Sequence, residues 1–565
     1  MYGKMHSACL YGIEGVMIGV EIDLSNGLPQ SNIIGLPDSA IREAVERVRA
    51  AIKNCGYRYP QQRITINLAP ADLRKEGSAF DLAIALGILT TSGQLEMPAA
   101  GELLLIGELA LDGSLRPVTG VLPMVAAARK AGLRAVMLPR ENAAEAALIQ
   151  GMTVYVLNHL RELPEPDNMA GTGYRILELL HSSPGSTLAP ASTGLPFPVT
   201  VTTGEATRKE RPIVRIRSLG HLQYCPVSGP MDLPPAGDSG MLTEDYSDVL
   251  GQQHVKRALT IAAAGMHNII LIGPPGTGKT MLIKRLPGIL PQLSDSEALE
   301  VTQIFSAAGK LKDAHRGLLR NRPFRSPHHT ISEAGLIGGG SIPKPGEVSL
   351  AHKGVLFLDE LPEFSRHVLE VLRQPLEDRS VTISRARAAF TFPAQFLLAG
   401  SMNPCSCGFL GSGNPQQRCS CSPSRIAQYR AKISGPLLDR IDLQVDVPRP
   451  REWDQPGRAL SSAEMRGEVL AAQGIQAERY RALPISWNSE LAGAALRRYA
   501  ALDSESTEML HYVLDNLGLS MRAHDRIIKL SRTIADLDGA PEITVSHLAE
   551  AVQYRNLDRQ VISEE

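Results

Sequence analysis

The 565-residue chain holds no run of about 18 apolar residues, so it predicts no transmembrane helix and no membrane partner. It also lacks a signal-peptide pattern, because Glu14 interrupts the only early apolar run and basic residues there are few. Net charge is missing as well: 58 Lys and Arg against 59 Asp and Glu leave −1. Any nucleic-acid contact must then come from local patches, not from the chain as a whole. Cysteines are few, seven in all, and four of them crowd between Cys405 and Cys421. That distribution excludes a secreted disulfide framework and points to a cytoplasmic protein. The apolar share of 43% is enough for ordinary globular cores, and the length suggests roughly two to four domains.

What is present centres on "NIILIGPPGTGKTML". Ile269 to Ile272 read as a buried parallel strand, and Lys279 and Thr280 open a helix. Between them Gly273, Pro274, Pro275, Gly276, Thr277 and Gly278 complete G-x4-G-K-T, a phosphate-binding P-loop. Its glycines let backbone N–H groups turn toward phosphate oxygens. Lys279 would reach the β- and γ-phosphates, and the Thr280 hydroxyl would ligate Mg2+, so ATP and Mg2+ are the expected cofactors. A second strand, "GVLFLDEL", ends in Asp359 and Glu360, where ligands sit in an open α/β sheet. Asp359 would hold magnesium, and Glu360 would polarise the attacking water. A third apolar strand, "AQFLLAGSMNP", ends at Asn403, whose amide can orient that water.

Around this core the chain divides into residues 1–165, a mixed α/β region; 166–240, a linker rich in Ser, Thr, Pro and Gly; 241–450, the nucleotide core; and 451–565, a run of amphipathic helices. In the first region Ile41, Val45, Val48 and Ile52 share a helical face, and Ile64, Ile66 and Leu68 alternate along a strand. The linker carries one candidate strand, "PIVRIRSL". "DRSVTISRARAAFTFPA" predicts a β-hairpin with Arg385 and Arg387 near its tip, candidates for DNA contact. Gly338 to Gly340 read as a flexible loop. His328 and His329, adjacent on a strand, should point apart and make a poor metal pair. Cys405-x-Cys407 and Cys419-x-Cys421 flank a Gly/Ser/Pro loop and can supply four thiolates to one zinc, with free or redox-active thiols as the other reading.

"NLAPADLRKEGSAFDL", "GPPGTGKTML", "FRSPHHTIS" and "LLDRIDL" together resemble the Mg-chelatase-like AAA+ ATPases of the YifB/ComM type. The resemblance implies an α/β AAA+ P-loop core with a helical lid, preceded by a Lon-protease-like (ribosomal S5 domain 2-like) α+β domain. A peptidase of that fold needs a serine and a lysine. Ser78 or Ala79 falls at the serine position and Leu122 at the lysine position, which implies a non-proteolytic domain. Asn403 falls at sensor 1, and Arg440 in "GPLLDRIDLQVDV" resembles the arginine finger that completes a neighbouring subunit's site. Arg522 resembles sensor 2 acting within its own subunit, with Arg526 as the competing choice. The implied assembly is a hexamer, and the implied activity is a DNA helicase driving branch migration of recombination intermediates in natural transformation, on single-stranded or branched DNA. The alternative is a magnesium-chelatase-type motor subunit that remodels a protein partner.

Overall fold

A computed structural model describes residues 1–75, 77–97, 100–164, 214–216, 218–225, 244–311, 317–340, 343–385, 388–412, 418–449, 460–517 and 520–555. The chain forms two compact units, Met1–Leu10 with Gly15–Val227, and Tyr11–Glu14 with Ser228–Glu565.

The first unit is built on a seven-stranded mixed sheet. Its spatial order is Thr153–Val156, Ala135–Leu138, Leu103–Leu105, Tyr2–Tyr11, Glu14–Ser25, Arg63–Ala69, Gln30–Ile34. Ile64, Ile66 and Leu68 are fully buried, as their alternation predicts. They meet helix Ser39–Asn54 through Ile41, Val45, Val48 and Ile52 in one core. Asp38 caps that helix by accepting the Ile41 N–H at 2.8 Å. Helix Asp81–Thr91 is buried nearly all round, which explains why it is apolar without a polar face. Strand Glu14–Ser25 is an addition to the predicted elements; its signal is the alternation of buried Ile18, Val20, Ile22 and Leu24. The strand expected in "PIVRIRSL" is Val214–Arg215, paired in parallel with Leu95–Glu96. Ile216, Leu219 and Leu222 continue into the same core, so this part of the linker region belongs to the first unit. The remainder of that region, 166–213, 217 and 226–240, lies outside the described residues.

The second unit holds a five-stranded, all-parallel sheet in the order Phe324–Arg325, Val355–Leu358, Leu397–Met402, Ile269–Ile272, Leu443–Asp446. The P-loop strand therefore lies between the strand leading to Asn403 and the strand that follows Arg440. Both faces of the sheet are covered, the reason these strands are apolar without alternation. Ile269 and Leu271 enter a core shared with helices Ser462–Arg479, Met521–Leu537 and Val545–Gln553, through Val469, Ile534 and Leu548. Ile270 and Ile272 enter another, with Leu336, Phe364 and Val368.

The arginine hairpin is present as Ser380–Arg385 paired with Ala388–Pro393. The glycine run departs from the loop expectation. Gly338–Gly339 is a short strand paired antiparallel with Lys344–Pro345. A Cβ on Gly338 would lie 2.4 Å from the Lys344 carbonyl, and its φ is +111°, so only glycine lets the two backbones pair this closely.

Gly354 shows the same constraint at the start of the Val355–Leu358 strand. A Cβ there would sit 2.0 Å from the Pro323 carbonyl oxygen. Gly354→Ala should cost about 1–3 kcal/mol of stability, read by thermal unfolding. An unchanged melt would show that the neighbouring Phe324–Arg325 strand moves aside freely.

Candidate active site

The P-loop strand ends at Ile272, and the chain turns back over its tip before helix Lys279–Lys284 begins. Gly276 and Gly278 hold φ of +79° and +85°, the left-handed conformation that points successive N–H groups into one concavity. Gly273 admits no side chain, since a Cβ would lie 2.3 Å from the Val447 carbonyl. The Thr277 hydroxyl donates to Pro274 O at 3.0 Å and braces the loop.

Lys279 is buried, and its Nζ donates to Gly273 O at 2.7 Å, Pro274 O at 2.9 Å and Asn403 Oδ1 at 3.3 Å. The ammonium is thus caged by the loop it serves and touches the predicted sensor amide directly. Burial lowers its pKa from the ordinary lysine value, against the opposing pull of Asp359 and Glu360. Thr280 Oγ1 lies 3.0 Å from Asp359 Oδ2. A hydroxyl beside a carboxylate is a fitting donor pair for a hard cation such as Mg2+. Glu360 is exposed and sits at φ +54°, a strained conformation for a non-glycine residue. Lys279, Thr280, Asp359, Glu360 and Asn403 therefore converge at the carboxyl ends of three adjacent strands.

Ser401 escaped the sequence reading. Its hydroxyl donates to Asp359 Oδ1 and accepts the Glu360 N–H at 3.2 Å, so one side chain orients both acids. The available signal was a hydroxyl inside an apolar strand, which is costly unless it is partnered. Ser401→Ala should lower kcat for ATP hydrolysis about tenfold or more, with a smaller change in KM. Steady-state kinetics would read this, and an unchanged kcat would remove Ser401 from the site.

The arginines form a separate group. Arg440 is 3% exposed, ion-paired with Glu377, and donates from Nη1 to Pro436 O. Arg522 is exposed at the start of helix Met521–Leu537, and its charge also acts on Glu377. With Arg373 these guanidinium groups hold the Glu377 carboxyl below its ordinary range, the Arg440 hydrogen bond being the main cause. No hydrogen bond or ion pair among the described residues joins Arg522 to the P-loop group. Arg526 is tied off: it pairs with Asp442 and donates to Arg440 O at 3.0 Å. Arg385 closes the hairpin ladder opposite Ala388, while Arg387 lies outside the described residues.

Cys405, Cys407, Cys419 and Cys421 bring their sulfurs within 4.8 Å of one another, so the cluster can hold a metal ion. Cys405 Sγ lies 3.3 Å from Cys407 Sγ and 3.7 Å from Cys419 Sγ. A backbone N–H from Phe409 is the leading cause that holds the Cys407 thiol below its ordinary range. His328 and His329 do not point apart. They follow the end of the strand and do not lie on it, and their ring centroids sit 4.1 Å apart with the planes tilted by 34°. In the first unit Ser78 donates to Glu108, and Leu122 is fully buried.

Three family models match in succession: "Subunit ChlI of Mg-chelatase" over residues 20–142, "Magnesium chelatase, subunit ChlI" over 245–454, and its C-terminal part over 459–555. Competence protein ComM of Haemophilus influenzae is 41% identical over 559 residues, covering 98% of this chain and 97% of its own. The chain belongs to the Mg-chelatase-like ComM/YifB family. YifB of Escherichia coli is 40% identical over 563 residues, 99% of this chain and 98% of its own. The magnesium-chelatase 38 kDa subunit of Cereibacter sphaeroides is 24% identical over 332 residues, 54% of this chain and 88% of its own. Membership makes this an AAA+-type protein of mixed α/β fold, and the family implies ATP and Mg2+ as its cofactors. No described helix is long and apolar enough to cross a membrane.

Proposed function

We propose that this protein is a cytoplasmic, ATP-hydrolysing, ring-forming DNA motor: a helicase that drives branch migration of recombination intermediates during DNA uptake. The observation that carries the motor reading is the split between two groups of residues. Lys279, Thr280, Asp359, Glu360 and Asn403 gather at one end of the sheet, while Arg440 and Arg522 gather around Glu377. Where no hydrogen bond or ion pair among the described residues joins an arginine to the Lys279 group, a neighbouring subunit can supply one. In this reading Arg440 serves the adjoining subunit of a hexamer, and Arg522 reaches the γ-phosphate within its own subunit as sensor 2. The helical part after residue 460 is the lid, and Arg526 with Asp442 hinges it to the core. Mg2+ would be held by Thr280 and Asp359 and would supply charge neutralisation at the phosphates. Glu360 would polarise water, and Asn403 would orient it.

The DNA reading draws on the near full-length likeness to a competence protein and on the arginine hairpin. Repeated round a ring, Arg385 and Arg387 make a basic collar suited to phosphates. The first unit is a Lon-like domain without peptidase chemistry, since Leu122 offers no base. The four cysteines hold structural zinc. The chelatase reading is weaker, because the chelatase subunit matches only 54% of the chain.

The test is ATPase rate with and without single-stranded or forked DNA, together with displacement of a branched junction. Stimulation and displacement are expected, and the absence of both would sink the helicase reading. An equimolar mixture of Lys279→Ala and Arg440→Ala proteins should regain turnover that neither shows alone. A mixture no more active than its parts would remove Arg440 from the neighbour's site.

A further inference from the structure

The cysteine cluster is built into the nucleotide site. A single residue, Pro404, separates Asn403 from Cys405. On the other arm, Cys421 leads into helix Pro423–Arg430, capped by Ser422. That helix returns to the sensor. Arg430 Nε donates to Pro404 O at 3.4 Å, and its neighbour Tyr429 is buried. Both cysteine arms thus meet at Pro404, the residue that follows Asn403. The loop between the arms also touches the P-loop: a Cβ on Gly408 would lie 2.9 Å from Pro275 Cδ.

We propose that a zinc ion bound by Cys405, Cys407, Cys419 and Cys421 is a positioning element of the ATPase, holding Asn403 and Pro275 in place so that metal occupancy sets the rate of hydrolysis. The proposal rests on the zinc reading given above. The sulfur geometry agrees with it. A tetrahedral zinc tetrathiolate places sulfurs about 3.8 Å apart. Cys405, Cys407 and Cys419 place their sulfurs 3.3, 3.6 and 3.7 Å apart, and the Cys421 sulfur lies within 4.8 Å of them. Metal bonds join the two arms covalently, whereas free thiols offer only weak contacts. Asn403 Oδ1 is itself a partner of Lys279 Nζ, so a shift of the arms displaces the amide from the group that meets the phosphates. Small displacements of this kind carry large rate penalties, on the order of tenfold to a hundredfold. Nucleotide affinity depends mainly on the loop N–H groups and Lys279, so it should change much less.

The experiment uses the full-length protein. Metal analysis should find zinc at one per chain. Stripping it with phenanthroline, a nitrogen chelator that leaves Mg2+ in place, should lower kcat on the order of tenfold or more, with Kd for a fluorescent ATP analogue within about threefold. Adding Zn2+ back should restore kcat. Gly408→Ala separates the two levels of the argument, because it removes no ligand. It should retain full zinc yet show reduced kcat, since its new methyl pushes the loop off Pro275. A native protein without zinc would overturn the metal reading and this proposal together. Zinc that can be removed without changing kcat would overturn the coupling alone. If stripping unfolds the chain by circular dichroism, Gly408→Ala decides, and wild-type kcat in that variant refutes the coupling.

Discussion

Lys279→Ala should cut ATP turnover by about 100- to 1,000-fold, the range seen when one preorganised charge donor is removed from a reacting site. The expectation follows from where the ammonium sits. It is buried at the centre of the loop and bonded to two of the loop's carbonyls and to Asn403. Because Lys279 also touches the sensor amide, its loss should disturb water placement as well as phosphate charge. The deficit should therefore appear in kcat as well as in KM. Steady-state hydrolysis with an ATP-analogue binding assay separates the two. Turnover retained near the wild-type rate would mean that the P-loop assignment is wrong.

Asp442→Ala should destabilise the second unit by about 3–5 kcal/mol, because it strands buried partners. Asp442 is 5% exposed. It accepts from Arg526, from the Asn268 N–H at 3.1 Å and from His267 Nδ1 at 3.3 Å. His267 continues to Thr533 at 2.7 Å, and Asn488 links Thr533 to Asp536. One carboxylate thus ties the start of the P-loop strand, the segment after Arg440 and the C-terminal helices together. Burial alone would raise its pKa, but the Arg526 charge and His267 overcome this and hold the carboxyl far below the ordinary 3.8. The sign then follows from linkage. A lowered folded pKa contributes stability that is present above 3.8 and is lost as pH falls through the folded value. The variant's deficit should be full at neutral pH and shrink only in strong acid. A thermal melt at pH 7 that matches wild type would refute the role.

The two predictions differ in how they could be foreseen. Lys279 was legible because the P-loop is local: eight consecutive residues carry the turn, the charge and the hydroxyl. Asp359, Glu360 and Asn403 were legible because each closes an apolar run at a strand end. Asp442 was not, since its partners lie 84 and 174 residues away in sequence. Ser401 was missed for a related reason: its value depends on which strand lies beside it. The glycine run from Gly338 was misjudged because backbone pairing leaves no side-chain pattern to read. The histidine pair was misjudged because the strand stops at Arg325, before the pair begins.

By itself, then, the sequence determined the elements whose physics is short-range: the phosphate loop, the apolar strands, the amphipathic helices and the paired cysteines. Tertiary structure decided which of them meet. It set the P-loop strand between its two neighbours, drew Ser401 under both acids, and packed the Gly408 loop against Pro275. It also gathered Arg440 and Arg522 at Glu377. Strand order and buried ion pairing are long-range outcomes of covering both faces of one sheet. No window of neighbouring residues contains them.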